Sequence, residues 1–446
     1  MISSRQAALR IVRLLRAKGH EAFFAGGCVR DMLLGLKPKD YDVATSARPR
    51  EVDRLFEHTV AVGKAFGVIR VRLDNHEIEV ATFRSEGAYR DGRRPSSVQF
   101  TTAREDAERR DFTINSFFYD PIRRKTLDFV GGKADLQQRR LRAIGDPLRR
   151  FQEDRLRLLR CIRFAAQLDF QIESGTRKAL AAKARWIRSV SAERVRDELT
   201  KLLTAPHAAK GLRLLYRSGL LRWLLPEIVA MRGVAQPRAY HPEGDVFVHT
   251  LKVLHALQSE IQNPKSKIQN PGRLAWAALL HDVGKPPTFQ YRTRIRFPEH
   301  ARVGAGMADR ILRRLRFSTA DREAITGMVA NHMTFKDVKA MRLSTLKRLL
   351  ARPTFEEELA LHRADCRASH GNLTNARFLQ RKRRALSAQE VRPPRLINGH
   401  DLISMGLKPG PIFGRLLREV EEAQLDGLVR TREEALDRVS KLKGAL

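Results

Sequence analysis

The stretch Phe23-Phe24-Ala25-Gly26-Gly27-Cys28-Val29-Arg30-Asp31, continued by Lys39-Asp40-Tyr41-Asp42-Val43, decides the fold of the first part of the chain. It predicts a strand, a Gly-Gly turn, a short helix and a second strand carrying Asp40 and Asp42. Alternation along that strand puts both carboxylates on one face, where oxygen ligands suit Mg²⁺. Gly26 and Gly27 let the backbone approach a phosphate. These features favour nucleotidyl transfer with two metal ions over an exposed turn.

The composition sets the class of protein. A chain of 446 residues predicts two to four domains. A net charge of +35, from 85 Lys+Arg against 50 Asp+Glu, predicts a polyanionic partner such as RNA. The first nineteen residues predict an amphipathic helix (Ile11, Leu14, Leu15) without the apolar core of a signal peptide. We expect no membrane segment, no stable protein partner, and free thiols in a reducing cytoplasm.

The opening stretch resembles the head-domain signature of class II tRNA nucleotidyltransferases and bacterial poly(A) polymerases. The resemblance implies that Asp40 and Asp42 bind Mg²⁺, and that Gly26, Gly27 and Arg30 belong to the nucleotide site. The predicted strand Ile78–Arg84 places Glu77 and Glu79 on one face. From the sequence alone, Glu79 is equally compatible with a third catalytic carboxylate and with a solvated strand residue. The family pattern favours the catalytic role.

Two further segments of the predicted head extend the resemblance. Ser85–Pro95, rich in Gly and charge, predicts a mobile loop that closes over the site; in the family it occurs in enzymes that add A. The string Arg109-Arg110-Asp111-Phe112-Thr113-Ile114-Asn115 matches the family's ribose-recognition motif. It implies that Arg110 contacts the triphosphate and that Asp111 and Asn115 contact ribose hydroxyls. Residues 128–136 match the next motif, which we interpret as structural.

Residues 151–164 predict one helix with Leu158, Ile162 and Ala165 facing inward. Asp154 and Arg157, three residues apart, could form an ordinary helix salt bridge. The family resemblance instead makes them the readers of the incoming base, and it also assigns Arg160 to the nucleotide site. Arg would donate to the Watson–Crick edge and Asp would accept from the exocyclic amine. The capped helix that starts at 191–199 resembles one that supports the base-reading helix in the family.

Histidines and aspartates form a second constellation between residues 240 and 370. Any one such histidine is more often structural than a ligand, but this set includes the string His281-Asp282-Val283-Gly284-Lys285. Imidazole and carboxylate suit a divalent transition metal. The set resembles an HD phosphohydrolase domain, which implies the primary ligands His249, His281, Asp282 and Asp365, with His300 and His332 at a possible second metal. In the family such domains are associated with phosphatase or cyclic phosphodiesterase activity.

Two basic segments complete the chain. The repeat Ile261-Gln-Asn-Pro and Ile268-Gln-Asn-Pro, with its basic spacer, predicts a loop insert between helices without a function. The run Arg381-Lys382-Arg383-Arg384 is either a solvated face or an RNA contact, and we favour the contact. The Lys408-Pro-Gly-Pro411 and Gln424-Leu-Asp-Gly427 elements resemble the helical tail of HD-bearing enzymes.

These observations predict an α+β protein: a nucleotidyltransferase-type mixed head (1–136), a helical neck (137–238), an HD domain (239–370) and a helical tail (371–446). The resemblance implies addition of CCA, or part of it, to tRNA from CTP and ATP. The alternatives are a poly(A) polymerase, an enzyme that adds only A, or an HD phosphohydrolase whose head merely binds RNA. The segment 62–68 resembles the tRNA enzymes, and intact Asp40, Asp42, Asp111 and Arg157 argue against a decayed head.

Overall fold

The computed structural model describes residues 2–63, 67–87, 89, 92 and 96–443. The chain divides into two compact units, Met1–Val229 and Ala230–Leu446. The α+β fold class is confirmed: unit 1 holds the mixed sheet and unit 2 is helical apart from one short hairpin. The boundaries within each unit, at 136 and 370, stay predictions. No helix within the described ranges has the length and apolarity to cross a bilayer.

The strands of unit 1 are β1 Ala22–Ala25, β2 Asp42–Thr45, β3 Thr59–Gly63, β4 Val68–Leu73, β5 His76–Thr82, β6 Arg84–Glu86, β7 Val98–Phe100, β8 Phe118–Asp120, β9 Lys125–Leu127, β10 Arg140–Leu141 and β11 Gln171–Ile172. Its helices are α1 Ser4–Ala17, α2 Gly27–Leu33, α3 Pro49–Leu55, α4 Ala103–Glu108, α5 Gly132–Gln137, α6 Pro147–Glu153, α7 Arg157–Leu168, α8 Ser174–Ala182, α9 Ala192–Leu203, α10 Ala208–Arg217, α11 Leu221–Leu224 and α12 Pro226–Val229. A 3-10 turn spans Thr113–Asn115.

Seven strands form the main sheet in the order β3-β4-β5-β2-β1-β8-β9. Only β2 and β5 are parallel neighbours, and Val43 lies opposite Val80 in their register. Apolar side chains cover one face, where Phe23, Phe83 and Phe118 pack together. The predicted N-terminal helix is α1, which buries Ile11 and Leu15 and contacts β1. Leu14, predicted on the same apolar stripe, is instead 40% exposed.

The prediction that Asp40 lies in a strand is wrong. Strand β2 begins at Asp42, because Asp42 pairs with Ala25 and β1 ends there. Asp40 precedes the strand and is exposed. Only Asp42 is therefore held in place by the sheet itself.

The prediction of one helix across residues 151–164 is also wrong. Helix α6 ends at Glu153, and α7 begins at Arg157. Asp154 has an extended backbone, and its carboxylate accepts a hydrogen bond from the amide of Leu156 at 3.1 Å. Such local bonds offer the chain an alternative to the helix. The apolar positions Leu158, Ile162 and Ala165 are all buried, as the periodicity predicted.

Unit 2 contains α13 Val246–Ile261, α14 Pro271–Leu280, α15 His300–Arg314, α16 Thr319–Asn331, α17 Leu343–Leu350, α18 Phe355–Ala368, α19 Thr374–Ala385, α20 Ala388–Val391, α21 Gly399–Ser404, α22 Pro411–Leu425 and α23 Arg432–Lys443, with the hairpin β12 Gln290–Tyr291 and β13 Ile295–Arg296. His249 lies inside the first turn of α13, because Asp245 caps that helix through the amide of Val248.

The tail helices α21–α23 have their own apolar core, which includes Leu402, Leu416 and Val439. The Gln-Leu-Asp-Gly element at the end of α22 binds α17. The carboxylate of Asp426 accepts from the amide of Ser344 at 2.6 Å, and Lys347 donates to the carbonyl of Leu425 at 2.8 Å. This element therefore anchors the tail within unit 2.

Candidate functional sites

The head carboxylates meet at the junction of β2 and β5. Because Val43 lies opposite Val80 in a parallel register, Asp42 and Glu79 are neighbours on one face. Burial, together with the charge of Glu79, raises the pKa of Asp42 to about 6, while Arg110 opposes the shift and Asp40 adds to it. The side chain of Asp42 nevertheless keeps an exposed edge, as expected of a group in a concave surface.

This carboxylate cluster fits a bound cation, since three like charges repel one another without one. Arg70 partly compensates Glu79, with its Nη2 at 3.3 Å from Oε1, and it also contacts Glu77. Within the described part of unit 1, no three acidic or histidine donors come within 4.8 Å of one another. The trio is thus a set of neighbours rather than a tightly preformed single-ion site.

The Gly-Gly turn lies beside this cluster. Gly26 has φ +73°, and a Cβ there would lie 3.1 Å from Nη1 of Arg110. Its amide donates to the carbonyl of Phe117 at 3.0 Å, which fixes the turn on the sheet. Gly27 begins helix α2. Glycine is therefore required at position 26 by conformation and by the close approach of Arg110.

Asp111 is the centre of a buried hydrogen-bond network. Oδ2 accepts from Nε and Nη2 of Arg160 at 2.8 and 2.6 Å, and Oδ1 accepts from Asn115 Nδ2 at 3.2 Å. Asn115 in turn accepts from Nη1 of Arg30 at 2.6 Å. Burial would raise the pKa of Asp111, but the charges of Arg160 and Arg157 lower it to about 2. The predicted ribose motif is thus joined to helix α7.

Arg30 and Arg110 of the predicted nucleotide site differ in their contacts. Arg30 is buried, binds Asp31 and Asn115, and packs over Phe164. Arg110 binds the carboxylate of Asp106 at 2.9 Å and the carbonyl of Asn115 at 3.2 Å. Arg30 therefore connects α2 to the ribose motif, whereas Arg110 faces the Gly26 turn.

Asp154 and Arg157 flank the break between α6 and α7, and the described structure shows no salt bridge between them. Arg157 donates from Nη1 to Glu153 at 2.7 Å and from Nη2 to the carbonyl of Arg109 at 3.2 Å. Asp154 binds Nη2 of Arg194 on α9 at 2.9 Å. The ordinary reading of the pair, as an i to i+3 helix salt bridge, is therefore wrong.

Arg194 is a residue that sequence reasoning missed, although it lies in the predicted supporting helix. Helix α9 also contributes Glu198, which accepts from Nε of Arg163 on α7 at 2.6 Å in a buried pair. These two contacts confirm that α9 packs against α7 and the residues that precede it. No pattern along the chain pairs Arg194 with a residue forty positions earlier, and only the fold brings them together.

The predicted mobile loop is described only in part. Ala88, Arg90, Asp91 and residues 93–95 lie outside the described residues, as do residues 64–66 of the segment that resembles the tRNA enzymes. The loop begins within β6, where Glu86 accepts from Arg84 and Arg109, each at 3.0 Å. At its other end, the carbonyl of Gly92 accepts from the amide of Arg155 at 3.1 Å.

The six predicted ligands of unit 2 form one cluster centred on Asp282. Its Oδ2 lies 3.2 Å from His281 Nε2 and 3.7 Å from His249 Nε2, and its Oδ1 lies 3.7 Å from His300 and 3.8 Å from His332. Asp365 lies 3.1 Å from His249 Nε2. Three donor groups have ligand atoms within 4.8 Å of one another: His249, His281 and Asp365; Asp282, His300 and His332; and His241, Glu243 and His249. The two oxygens of Asp282 therefore face two different histidine sets.

The imidazoles are oriented by the backbone. His281, His300 and His332 each place Nδ1 within 2.9 Å of a carbonyl three residues earlier. This bond favours a proton on Nδ1 and leaves Nε2 directed at the cluster, which is the arrangement of metal-ligating histidines. The donor set fits one or two divalent transition metals.

Glu243 is a second residue that sequence reasoning missed. It is fully buried and lies 2.6 Å from Nδ1 of His249 and 2.9 Å from Nδ1 of His241. Burial would raise the pKa of Glu243, but its hydrogen bonds to His249 and His241 lower it to about 2. The string His241-x-Glu243 was the available signal. A carboxylate behind a ligating histidine strengthens that histidine as a donor.

Burial and neighbouring charge act in opposite directions on the histidines. Burial would lower the pKa of His249, but its hydrogen bonds to Asp365 and Glu243 raise it to about 9. Burial lowers the pKa of His332 to about 4. Lys285, from the His-Asp-x-Gly-Lys string, lies 2.7 Å from Asp282 Oδ2 and donates to Gln236 at 2.7 Å. A cavity of about 730 Å³ opens beside the cluster.

Three family models match successive parts of the chain. The family models "Poly A polymerase head domain", "Probable RNA and SrmB- binding site of polymerase A" and "HD domain" match residues 22–142, 169–231 and 246–369. The CCA-adding enzyme of Streptococcus gordonii is 33% identical over 427 residues, which are 95% of this chain and 93% of the relative.

Two solved structures are similar over nearly the whole chain. The Bacillus stearothermophilus CCA-adding enzyme in complex with CTP has a TM-score of 0.75 and 25% identity, with 100% of both chains covered. The Thermotoga maritima CCA-adding enzyme complexed with tRNA has a TM-score of 0.59 and 20% identity, covering 98% of this chain and 94% of that one. The second likeness shows the fold alone.

The glycine of the His-Asp-x-Gly-Lys string yields a testable prediction. A Cβ at Gly284 would overlap the carbonyl of His300 and lie 2.6 Å from the amide nitrogen of Gly304, so Gly284→Ala must separate α15 from the cluster. We expect the free energy of unfolding of unit 2 to fall by about 3 kcal/mol or more. Urea unfolding and the metal content of the purified protein are the measurements.

Gly327→Ala is the matched control, because no atom lies within 4 Å of the added Cβ in helix α16. Alanine there should raise stability by about 0.5 to 1 kcal/mol and leave the metal content unchanged. Equal behaviour of the two variants would contradict the close approach of α15 to Gly284.

Proposed function

This chain belongs to the CCA-adding enzymes, the tRNA nucleotidyltransferases, and we propose that it adds cytidine, cytidine and adenosine to the 3′ end of tRNA from CTP and ATP. One observation carries the proposal: Asp111 and Arg160 join the carboxylate-bearing head to the segment that holds Asp154 and Arg157 within one compact unit. The Bacillus stearothermophilus relative solved with CTP supports CTP as a substrate.

Asp40 and Asp42, with Glu79 beside them, would hold Mg²⁺. The ions would supply activation of the 3′-hydroxyl and stabilisation of the leaving pyrophosphate. The raised pKa of Asp42 is consistent with the assignment, because it reflects burial first and then the negative charges of Glu79 and Asp40, which a bound cation would compensate. Arg110 would neutralise charge on the triphosphate, and the amide of Gly27, at the start of α2, would donate to it.

Asp154 and Arg157 would read the incoming base. Arg157 donates at the Watson–Crick edge and Asp154 accepts from the exocyclic amine of cytosine or adenine. GTP and UTP place a carbonyl oxygen opposite the carboxylate, so their rejection includes repulsion. The separate partners of the two side chains support this role, since each is held in position without using the other.

The cluster in unit 2 would be a separate, metal-dependent phosphoesterase. His249, His281, Asp282 and Asp365 would hold one divalent ion, and Asp282, His300 and His332 a second. Phosphatase or 2′,3′-cyclic phosphodiesterase activity is the reaction class that such a site serves. The remaining alternatives for the whole chain are addition of A alone and poly(A) synthesis.

Arg157→Ala should lower the rate of nucleotide addition from CTP and ATP. It should also reduce the difference between these rates and the rates with GTP and UTP. Loss of a charge-assisted hydrogen bond costs about 1.5 to 3 kcal/mol, or roughly one to two orders of magnitude in rate. Asp154→Ala should do the same with more UTP incorporation. Single-turnover rates with each nucleotide measure the selectivity ratio.

Arg150→Ala is the matched control, because Arg150 donates to the same two acceptors as Arg157, Glu153 and the carbonyl of Arg109, each at 3.0 Å. It should slow all four nucleotides alike, as should Asp42→Asn. If Arg157→Ala and Asp154→Ala also leave the ratio unchanged, the pair is structural and the base is read elsewhere.

His281→Ala should remove metal-dependent phosphoester hydrolysis and spare nucleotide addition, because the ligand cluster and the head carboxylates lie in different units. Hydrolysis of 2′,3′-cyclic AMP and of p-nitrophenyl phosphate, with metal analysis, is the measurement. His255→Ala, a change in the same helix outside the cluster, is the control. A wild-type protein that binds no divalent metal and cleaves neither substrate would make the cluster structural.

A further inference from the structure

The two Ile-Gln-Asn-Pro segments have different structural roles. Asn263, after α13, accepts from the amide of Lys265 at 2.9 Å and forms a turn. Asn270 instead caps α14 through the amide of Arg273 at 3.0 Å, with Pro271 as the first helical residue. The prediction of an insert between two helices is confirmed, and its two asparagines explain where one helix ends and the next begins.

The insert is fixed to helix α18, the helix that carries Asp365. Glu357 on α18 accepts from the amides of Gln269 and Asn270 at 3.0 and 3.3 Å, and its side chain is buried. A buried carboxylate that accepts two amides is a specific anchor rather than a chance surface contact. The insert therefore forms one wall of a cavity.

That feature is a basic cavity of about 380 Å³ formed by the insert, α18 and α19. Lys265 and Lys267 contribute from the insert, and Arg383 and Arg384 from α19. Within the described ranges, no carboxylate forms a salt bridge with these four side chains. A fifth cation, Arg363, binds Glu260 at 3.1 Å, but its buried Nε has no hydrogen-bond partner.

The helix separates the basic run into two halves. Arg383 and Arg384 line the cavity together with Gln380, whereas Arg381 and Lys382 do not, although both are exposed. Residues 383 and 384 follow residue 380 by three and four positions, so the three side chains lie on one face of α19. Arg383 and Arg384 therefore lie on the face that lines the cavity, whereas Arg381 and Lys382 lie on a solvated face.

We propose that this cavity binds the phosphodiester backbone of the RNA substrate, so that the insert is a second RNA-binding element of the chain. The four cations without a salt bridge outnumber the two carboxylates of the lining, Glu260 and Glu356, so a run of phosphates relieves their mutual repulsion. The volume exceeds that of a single phosphate group. The inference rests on the proposed function, because it takes tRNA as the polyanion.

The test compares three double variants of the full-length protein, each losing two positive charges: Lys265→Gln with Lys267→Gln, Arg383→Gln with Arg384→Gln, and the control Arg381→Gln with Lys382→Gln. The dissociation constant for tRNA lacking CCA is measured against salt concentration. Each lining pair should weaken binding roughly tenfold at 0.1 M salt and lower the salt slope by about 1 to 2. The control pair should change binding less than threefold.

The two lining pairs should raise the tRNA concentration needed for half-maximal nucleotide addition in line with their weaker binding, whereas the control pair should not. If the lining pairs and the control pair weaken binding equally, only the overall charge matters and the inference is overturned. It is also overturned if inorganic pyrophosphate alone protects Arg383 and Arg384 from chemical modification while tRNA does not. A wild-type protein that binds no tRNA would instead contradict the proposed function.

Discussion

The buried carboxylate of Asp111 is the constraint on which unit 1 depends. A buried charge is tolerated only when it is paired with an opposite charge and hydrogen-bonded. Arg160 provides the opposite charge for Asp111, and Arg160 and Asn115 both donate hydrogen bonds to it. Arg160 lies on α7, so this single requirement attaches the helix after the sheet to the ribose motif. The position of Arg157, one turn earlier on α7, follows from the same attachment.

Unit 2 is organised by a comparable constraint. Asp282 is almost fully buried, and each of its oxygens faces a different set of histidines. The imidazoles are held by backbone carbonyls and by Glu243, so that the ring nitrogens converge before any ion binds. Each unit therefore has its own candidate site, with its own group of anchoring residues.

Much of this arrangement was predictable from local patterns. The apolar spacing of Ile11 and Leu15 predicted helix α1. The six residues predicted as metal ligands in unit 2 do lie in one cluster, because their types and order along the chain are distinctive. The helix break at Asp154 was missed, because the apolar periodicity continues on both sides while the Asp side chain bonds to the backbone. Arg194 and the basic cavity depend on contacts between distant segments, which no pattern along the chain contains, whereas the string His241-x-Glu243 was a local signal for Glu243.

The central claim is that the protein itself, with no nucleic-acid template, sets the sequence that is added. The most direct measurement is sequencing of the product formed when tRNA lacking its 3′ end is incubated with all four nucleotides. The account predicts C, C and A in that order, with addition ending there and without G or U. A long run of A, or incorporation that follows nucleotide concentration rather than identity, would contradict it.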